Sequence, residues 1–104
     1  MKLTTNENGI WCQPIDGTPY GINWIDIHSI NGTITVYDKA PEIEIDFTSV
    51  HGGQVTISET WFGYNDVINE MAKRKMQVDS KWLESQRALK VDKSTIEIWH
   101  RTFN

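Results

Sequence analysis

The chain has 104 residues, 38% of them hydrophobic, and a formal net charge of −4 at pH 7. This length predicts a single domain over residues 1–104 with one modest core, and the negative charge argues against nonspecific nucleic-acid binding, which needs a positive field to attract phosphates. The N-terminus has no apolar segment of a signal peptide and no window approaches the roughly 18 apolar residues of a membrane span, so we expect a cytoplasmic protein with no membrane role.

The first part of the chain predicts a polar arm followed by a hairpin. Residues 1–8 are polar and are expected to form a flexible N-terminal arm. Asp16-Gly17 then predicts a turn between strands at Ile10–Gln13 and Tyr20–Ile22. The lone Cys12 cannot form an internal disulfide, which agrees with a cytoplasmic protein, and we expect it to behave as a small apolar residue.

The segment Asn23–Ile30 predicts a strand in which Trp24 is awkwardly placed. Ile25 and Ile27 share one face of this strand, because successive side chains point to opposite sides. If that face is the core, the indole of Trp24 lies on the outer side unless a bulge intervenes.

Three further hairpins are predicted from turn signals between alternating segments. Asn31-Gly32 tolerates positive φ and predicts a turn into a strand at Thr33–Tyr37. Asp38–Pro41 breaks the pattern, and Glu42–Phe47 predicts the next strand, with its apolar side chains inward. His51–Gly53 predicts a turn into Gln54–Ser58. These elements predict an antiparallel sheet of about four strands.

The second half of the chain predicts helices that cover this sheet. One apolar stripe at helical spacing predicts an amphipathic helix over Tyr64–Arg74; it consists of Tyr64, Val67, Ile68, Met71 and Ala72. A shorter helix is expected over Lys81–Leu89 and a last strand over Thr95–Trp99. The predicted fold class is therefore α+β, with an antiparallel sheet of four to six strands packed on one face by one long and one short helix.

Several segments resemble a group of small uncharacterised bacterial proteins with a pleckstrin-homology-like, β-rich region. The residues that carry the likeness are Trp24-Ile25-Asp26-Ile27 with Ile30, Gly63-Tyr64 with the following Val67-Ile68-Met71 helix, and Ile98-Trp99-His100-Arg101. The resemblance spans roughly Ile22 to Arg101. It implies a fold neighbourhood and a binding or regulatory role.

An acidic row is the sharpest surface feature of the sequence. Glu42, Glu44 and Asp46 share one strand face, where side chains recur roughly every 6.6 to 7 Å, and Asp38 comes just before them. The row is either a solvated face that discourages edge-to-edge pairing or a docking stripe for a basic protein such as a nuclease. In the second case the aromatic anchors that affinity requires would be Trp24, Tyr37 and Trp99.

No other feature predicts catalysis, a metal or a cofactor. The carboxylates have no paired nucleophile or oxyanion donor beside them, so we expect no enzyme. Asp26 and His28 are spaced as two ligands on one strand, but the remaining histidines are isolated in sequence. The aromatic run Trp61–Tyr64 is interpreted either as closing the core under the helix or as lining a ligand pocket.

Two functional hypotheses follow from these features. The first is a non-enzymatic interaction protein, for example an acidic immunity-type inhibitor that masks the basic active site of a toxin. The second is a pleckstrin-homology-like module that binds a ligand between sheet and helix.

Overall fold

Seven β-strands and one α-helix make up the regular structure of residues 1–37, 40–76 and 94–102, which are the residues described by the structure, a computed structural model. The strands are Lys2–Thr5 (β1), Gly9–Gln13 (β2), Tyr20–Asn23 (β3), Ile27–Tyr37 (β4), Ala40–Ser49 (β5), Gln54–Ser58 (β6) and Ser94–His100 (β7). The helix is Tyr64–Lys73 (α1), and a 3-10 turn at Trp24–Asp26 precedes β4.

The strands form two antiparallel sheets, which corrects the predicted fold class. One sheet has three strands in the order β1-β2-β3, and the other has four in the order β6-β5-β4-β7. The α+β prediction of one sheet covered by two helices is wrong, because strand dominates the described residues and α1 is the one α-helix among them. The unforeseen strand β1 joins β2 and β3 into a separate sheet. The short helix expected over Lys81–Leu89 lies outside the described residues.

One core unites both sheets and the helix. The described inward positions of the four-stranded sheet alternate with a period of two and are buried; among them are Ile30, Ile34, Ile43, Ile45, Phe47 and Ile57. They join Leu3, Ile10, Cys12 and Ile22 of the three-stranded sheet in a single cluster. The predicted apolar face of α1 is confirmed at Tyr64, Val67 and Met71, which complete this cluster.

Strand β1 is attached to the start of the helix, so the expected flexible arm does not hold for Lys2–Thr5. The Leu3 amide donates to the Phe62 carbonyl at 2.7 Å, and Leu3 itself is buried in the core. Gly63 stands just before the helix with φ of 93°, a conformation that a residue with a Cβ rarely adopts. The strand and the entry to the helix therefore fix each other.

Trp24 is buried because the chain changes its period at the 3-10 turn. The indole is 4% exposed and Ile25 is 76% exposed, which reverses the predicted phase. The Trp24 amide donates to the Asn8 carbonyl at 2.9 Å, and the indole Nε1 donates to the Asn6 carbonyl at 2.9 Å. The Arg74 guanidinium lies over the ring at 4.9 Å from its centroid. Three residues of tight helix thus turn the indole inward where a continuous strand would have left it outside.

The turn predicted at Asn31-Gly32 is also wrong, since both residues lie within the long strand β4. Asn31 pairs with Asp46 on one side and with Glu97 on the other. Pairing on both sides holds the backbone extended and overrides the local preference for a turn. In contrast, the β2–β3 hairpin, the turn before β6, and the strands β5, β6 and β7 are confirmed.

Candidate functional site

The candidate site is the outer face of the four-stranded sheet, defined here as the side opposite its buried isoleucines. Alternation places polar side chains from all four strands on this face. The register brings them into two rows that cross the sheet. These rows are Thr56–Asp46–Asn31–Glu97 and Ser58–Glu44–Thr33–Thr95. Glu42 extends the acidic row along β5, opposite Thr35 of β4.

Hydroxyl groups hold two of the carboxylates of the acidic row in place. Thr56 Oγ1 donates to Asp46 Oδ1 at 2.6 Å. Glu42 Oε1 accepts from Thr60 Oγ1 at 3.0 Å and also from the hydroxyl of Ser58, which is buried. These donors are neutral, so they orient the carboxylates without cancelling their charge. Less side-chain freedom then remains to be lost when a partner binds.

Acidic side chains lie on both sides of the molecule, for example Glu70 beside Lys73 and Arg74, but the lysine and arginine side chains of the described strands and helix end lie on one side. The outer face carries the acidic row together with Glu97, whose Oε1 lies 2.6 Å from Nδ1 of His100. Lys2 lies on β1, and Lys73 and Arg74 lie at the end of α1, on elements that pack on the other side of the core. Within the described strands, the outer face therefore has carboxylates and hydroxyls but no lysine or arginine.

Two of the three predicted aromatic anchors, Trp24 and Trp99, do not join the acidic row on this face. Trp24 is buried and cannot serve as an exposed anchor. The register of β7 shifts where Trp99 faces Ile30, and both Trp99 and its neighbour Ile98 pack against the core, away from the carboxylates. Tyr37 is placed as the last residue of β4, and Asp38 lies outside the described residues.

A second feature, a cleft beside β3, brings together residues that the sequence reasoning did not connect. It has a volume of about 390 Å³ and is lined by Trp11, Tyr20, Asp26 and His51, among others. His51 Nε2 lies 3.4 Å from Asp26 Oδ1, and the side-chain amide of Asn23 donates from Nδ2 to Asp26 Oδ2 at 3.3 Å. The sequence places Asp26 near His28 along the chain, whereas its actual neighbour comes from the turn before β6. No local pattern signals that contact.

The aromatic run at the start of α1 is divided between core and surface. Trp61 packs against the core and Tyr64 is buried within it, as the core-closing interpretation predicts. Burial raises the pKa of Tyr64 to about 12, and its hydroxyl has no hydrogen-bond partner among the described residues. Phe62 is 74% exposed, with Lys2 Nζ at 6.0 Å from its ring centroid. A depression of about 370 Å³ lies beside it.

Metal-ligand clusters and membrane-spanning helices are absent from the described ranges. No three His, Cys, Asp or Glu side chains among residues 1–37, 40–76 and 94–102 cluster as metal ligands do. No helix in these ranges is long and apolar enough to cross a membrane. The Cys12 thiol is fully buried, and this burial raises its pKa against the smaller opposite effect of a hydrogen bond with Tyr20.

No family model, no curated protein and no solved structure matches this chain. The inference of function therefore depends on the side chains and strand edges of the chain itself.

Proposed function

We propose that the chain is a non-enzymatic interaction domain that binds a basic protein through the outer face of the four-stranded sheet, as an acidic immunity-type inhibitor of a toxin would. One observation carries the proposal: Glu42, Glu44 and Asp46 lie in a row on a polar sheet face, and neighbouring hydroxyls orient two of these carboxylates.

Such a face suits fast and oriented encounter with a positive surface. Carboxylates in a row sum into a negative potential, which raises the association rate and is screened by salt. Each exposed ion pair contributes only about 0.2 to 1 kcal/mol, so affinity requires several pairs together with buried contact area. Threonine and asparagine side chains beside the carboxylates supply neutral hydrogen bonds for that area.

The experiment separates the position of the charges from their number. One variant carries Glu42→Gln, Glu44→Gln and Asp46→Asn, which keep shape and acceptor oxygens. The matched control carries Glu7→Gln, Asp16→Asn and Asp66→Asn, three exposed positions outside the outer face. Each set removes three negative charges, so the formal net charge changes from −4 to −1 in both.

The partner is captured from lysate of cells that carry the gene, and its association rate with each variant is then measured across a salt series. The outer-face variant is expected to associate about tenfold more slowly and with a flatter salt dependence. The control variant should remain within about twofold of the natural chain, because its charges lie outside the contact. Equal losses in the two variants would mean that only net charge matters, and no loss in the first would exclude the acidic row from binding.

A second candidate is a pleckstrin-homology-like ligand-binding module, favoured by the exposed Phe62 beside the depression at the start of α1. A small molecule bound there would change the fluorescence of Trp61, and its binding would be lost in the Phe62→Ala variant. Its binding would be unaffected by the outer-face variant. A broad metabolite panel without any fluorescence response would count against this candidate.

A further inference from the structure

The cleft beside β3 lies between the edges of the two sheets. Strand β3 is the last strand of the three-stranded sheet, and β6 is the last strand of the four-stranded sheet. All four residues of β3, Tyr20–Asn23, line one side of the cleft, and Gln54 and Val55 at the start of β6 line the other. Strand edges carry unpaired backbone groups that can pair with another chain.

The register shows which backbone groups of β3 face the cleft. Hydrogen-bonded and non-bonded residue pairs alternate along an antiparallel ladder. The Trp24 amide donates to the Asn8 carbonyl, so Trp24 and Asn8 are a bonded pair. The next bonded pairs along β3 are therefore Ile22 with Ile10 and Tyr20 with Cys12. Gly9, opposite Asn23, instead uses its amide and carbonyl within the β1–β2 turn. The amides of Gly21 and Asn23 and the carbonyl of Gly21 therefore point away from β2, into the cleft.

The side chains around this edge match the alternation of an added strand. Trp11 faces Gly21 across the ladder, and its indole occupies the space that a Cβ on Gly21 would need. Tyr20, one residue earlier, is on the opposite side of the strand and is 43% exposed. In an extended segment paired with β3, successive side chains point to opposite faces. One would therefore contact Trp11 and the next would contact Tyr20.

The charge of the cleft selects among such segments. Asp26 supplies its carboxylate, with the neighbouring His51 and Asn23 described above, and no lysine or arginine lines the cleft within the described residues. Exposed Val50 lies between the lining residues Ser49 and His51, and its amide donates to the Asp26 carbonyl at 2.8 Å. A basic side chain beside an apolar one complements this surface.

We propose that the cleft binds an extended peptide segment of a partner protein, which adds a strand to the edge of β3 and places a lysine or arginine against Asp26. The backbone groups of Gly21 and Asn23 supply the hydrogen bonds, and Trp11, Tyr20 and Asp26 select the side chains. A saccharide would use the aromatic rings but not the strand register. The site is separate from the outer face of the four-stranded sheet.

A pair of substitutions at one position isolates the backbone contribution. Asn23 has φ of −77°, which proline adopts without strain, and its amide bonds nothing in β2. Asn23→Pro removes this amide, whereas the control Asn23→Ala keeps it; both remove the side-chain bond to Asp26. Near-ultraviolet circular dichroism checks that both variants keep the native packing.

The probe is the most enriched sequence from a phage library of random peptides selected on the full natural chain. We expect enrichment of lysine and arginine with alternating apolar residues. Asn23→Pro should weaken binding of the synthetic peptide about tenfold, because the backbone donor is lost and a carbonyl of the peptide is left unpaired. Asn23→Ala should change the affinity by less than about threefold, because the donor remains. Asp26→Asn should weaken the binding of basic peptides more than that of neutral ones. The outer-face variant should bind the peptide with unchanged affinity.

The other outcomes overturn the proposal. Equal affinities of the Pro and Ala variants would exclude strand addition. No enriched peptide, or saccharide binding that is lost in Trp11→Ala, would exclude a peptide ligand. Concentration-dependent dimers that dissociate in Asn23→Pro would assign the edge to a second copy of this chain.

Discussion

Gly63→Ala should be among the most damaging small substitutions in this protein. The residue has φ of 93°, which costs an alanine about 1 kcal/mol. A Cβ there would also overlap the Leu3 carbonyl oxygen and lie 3.0 Å from the Leu3 carbonyl carbon. Strand β1 must then move, which breaks the bond from the Leu3 amide to Phe62, worth about 1 kcal/mol. Exposing part of the buried Leu3 side chain adds about 1 kcal/mol more, for a total loss of about 3 kcal/mol.

Urea unfolding followed by tryptophan fluorescence measures this loss, and Gly52→Ala is the matched control. Gly52 has φ of 98°, but no atom lies within 4 Å of the position its Cβ would take. It should therefore lose only the conformational part, about 1 kcal/mol. If the two variants lose equal free energies of unfolding, the close approach of β1 to the start of the helix plays no part in stability and the reasoning is refuted.

Three other predictions concern buried or stacked side chains. The Tyr64 pKa of about 12 exceeds the unfolded value near 10, so the free energy of unfolding should fall by roughly 2 to 3 kcal/mol as pH rises from about 10 to about 12. In urea titrations at several pH values, Tyr64→Phe should remove this fall without lowering the free energy of unfolding at neutral pH. Cys12 should react with a thiol reagent roughly a hundredfold faster in urea than in the native chain, because it is buried and its pKa is raised; equal rates would contradict its placement. Arg74→Lys keeps the charge but loses the planar stack on Trp24, so we expect a loss of about 1 kcal/mol and a shifted indole emission; unchanged emission would count against the stack.

Strictly periodic segments of this sequence predict their structure well. The alternation in Gln54–Ser58 and the spacing of the apolar stripe after Tyr64 are confirmed as β6 and α1. In both, one period continues over the whole element and one face is buried, so local preference and tertiary packing agree.

The failures occur where tertiary contacts override a local signal. Asn31-Gly32 prefers a turn, but hydrogen bonds to β5 and β7 on both sides keep it extended. Trp24 follows a strand pattern, but the Ile27 amide donates to the Trp24 carbonyl and closes a 3-10 turn, while the Trp24 amide bonds to Asn8, distant in sequence. Strand β1 has only one apolar residue that becomes buried, Leu3, which is too little to show a period.

The candidate sites differ in the same way. The acidic row is readable from the sequence because three carboxylates at a spacing of two must share a strand face. The cleft is not, because Trp11, Asp26 and His51 come from three elements whose approach depends on the packing of the two sheets. Its open edge is also a property of the backbone, which side-chain patterns do not record.

The two surfaces should respond to salt to different degrees, and this difference separates their roles. The inner faces of both sheets are used by the core, so a partner would meet the outer face of the four-stranded sheet or the strand edges that are unpaired among the described residues. Recognition by the acidic row, as proposed, would be electrostatic and should weaken as screening shortens the range of its field to about 8 Å near physiological salt. Recognition by the β3 edge would depend mainly on backbone hydrogen bonds and aromatic contact, with one ion pair at Asp26, so salt should weaken it less. A partner that uses both would therefore associate more slowly at high salt while its dissociation rate stayed nearly constant, because the charges guide encounter and the paired strand holds the complex.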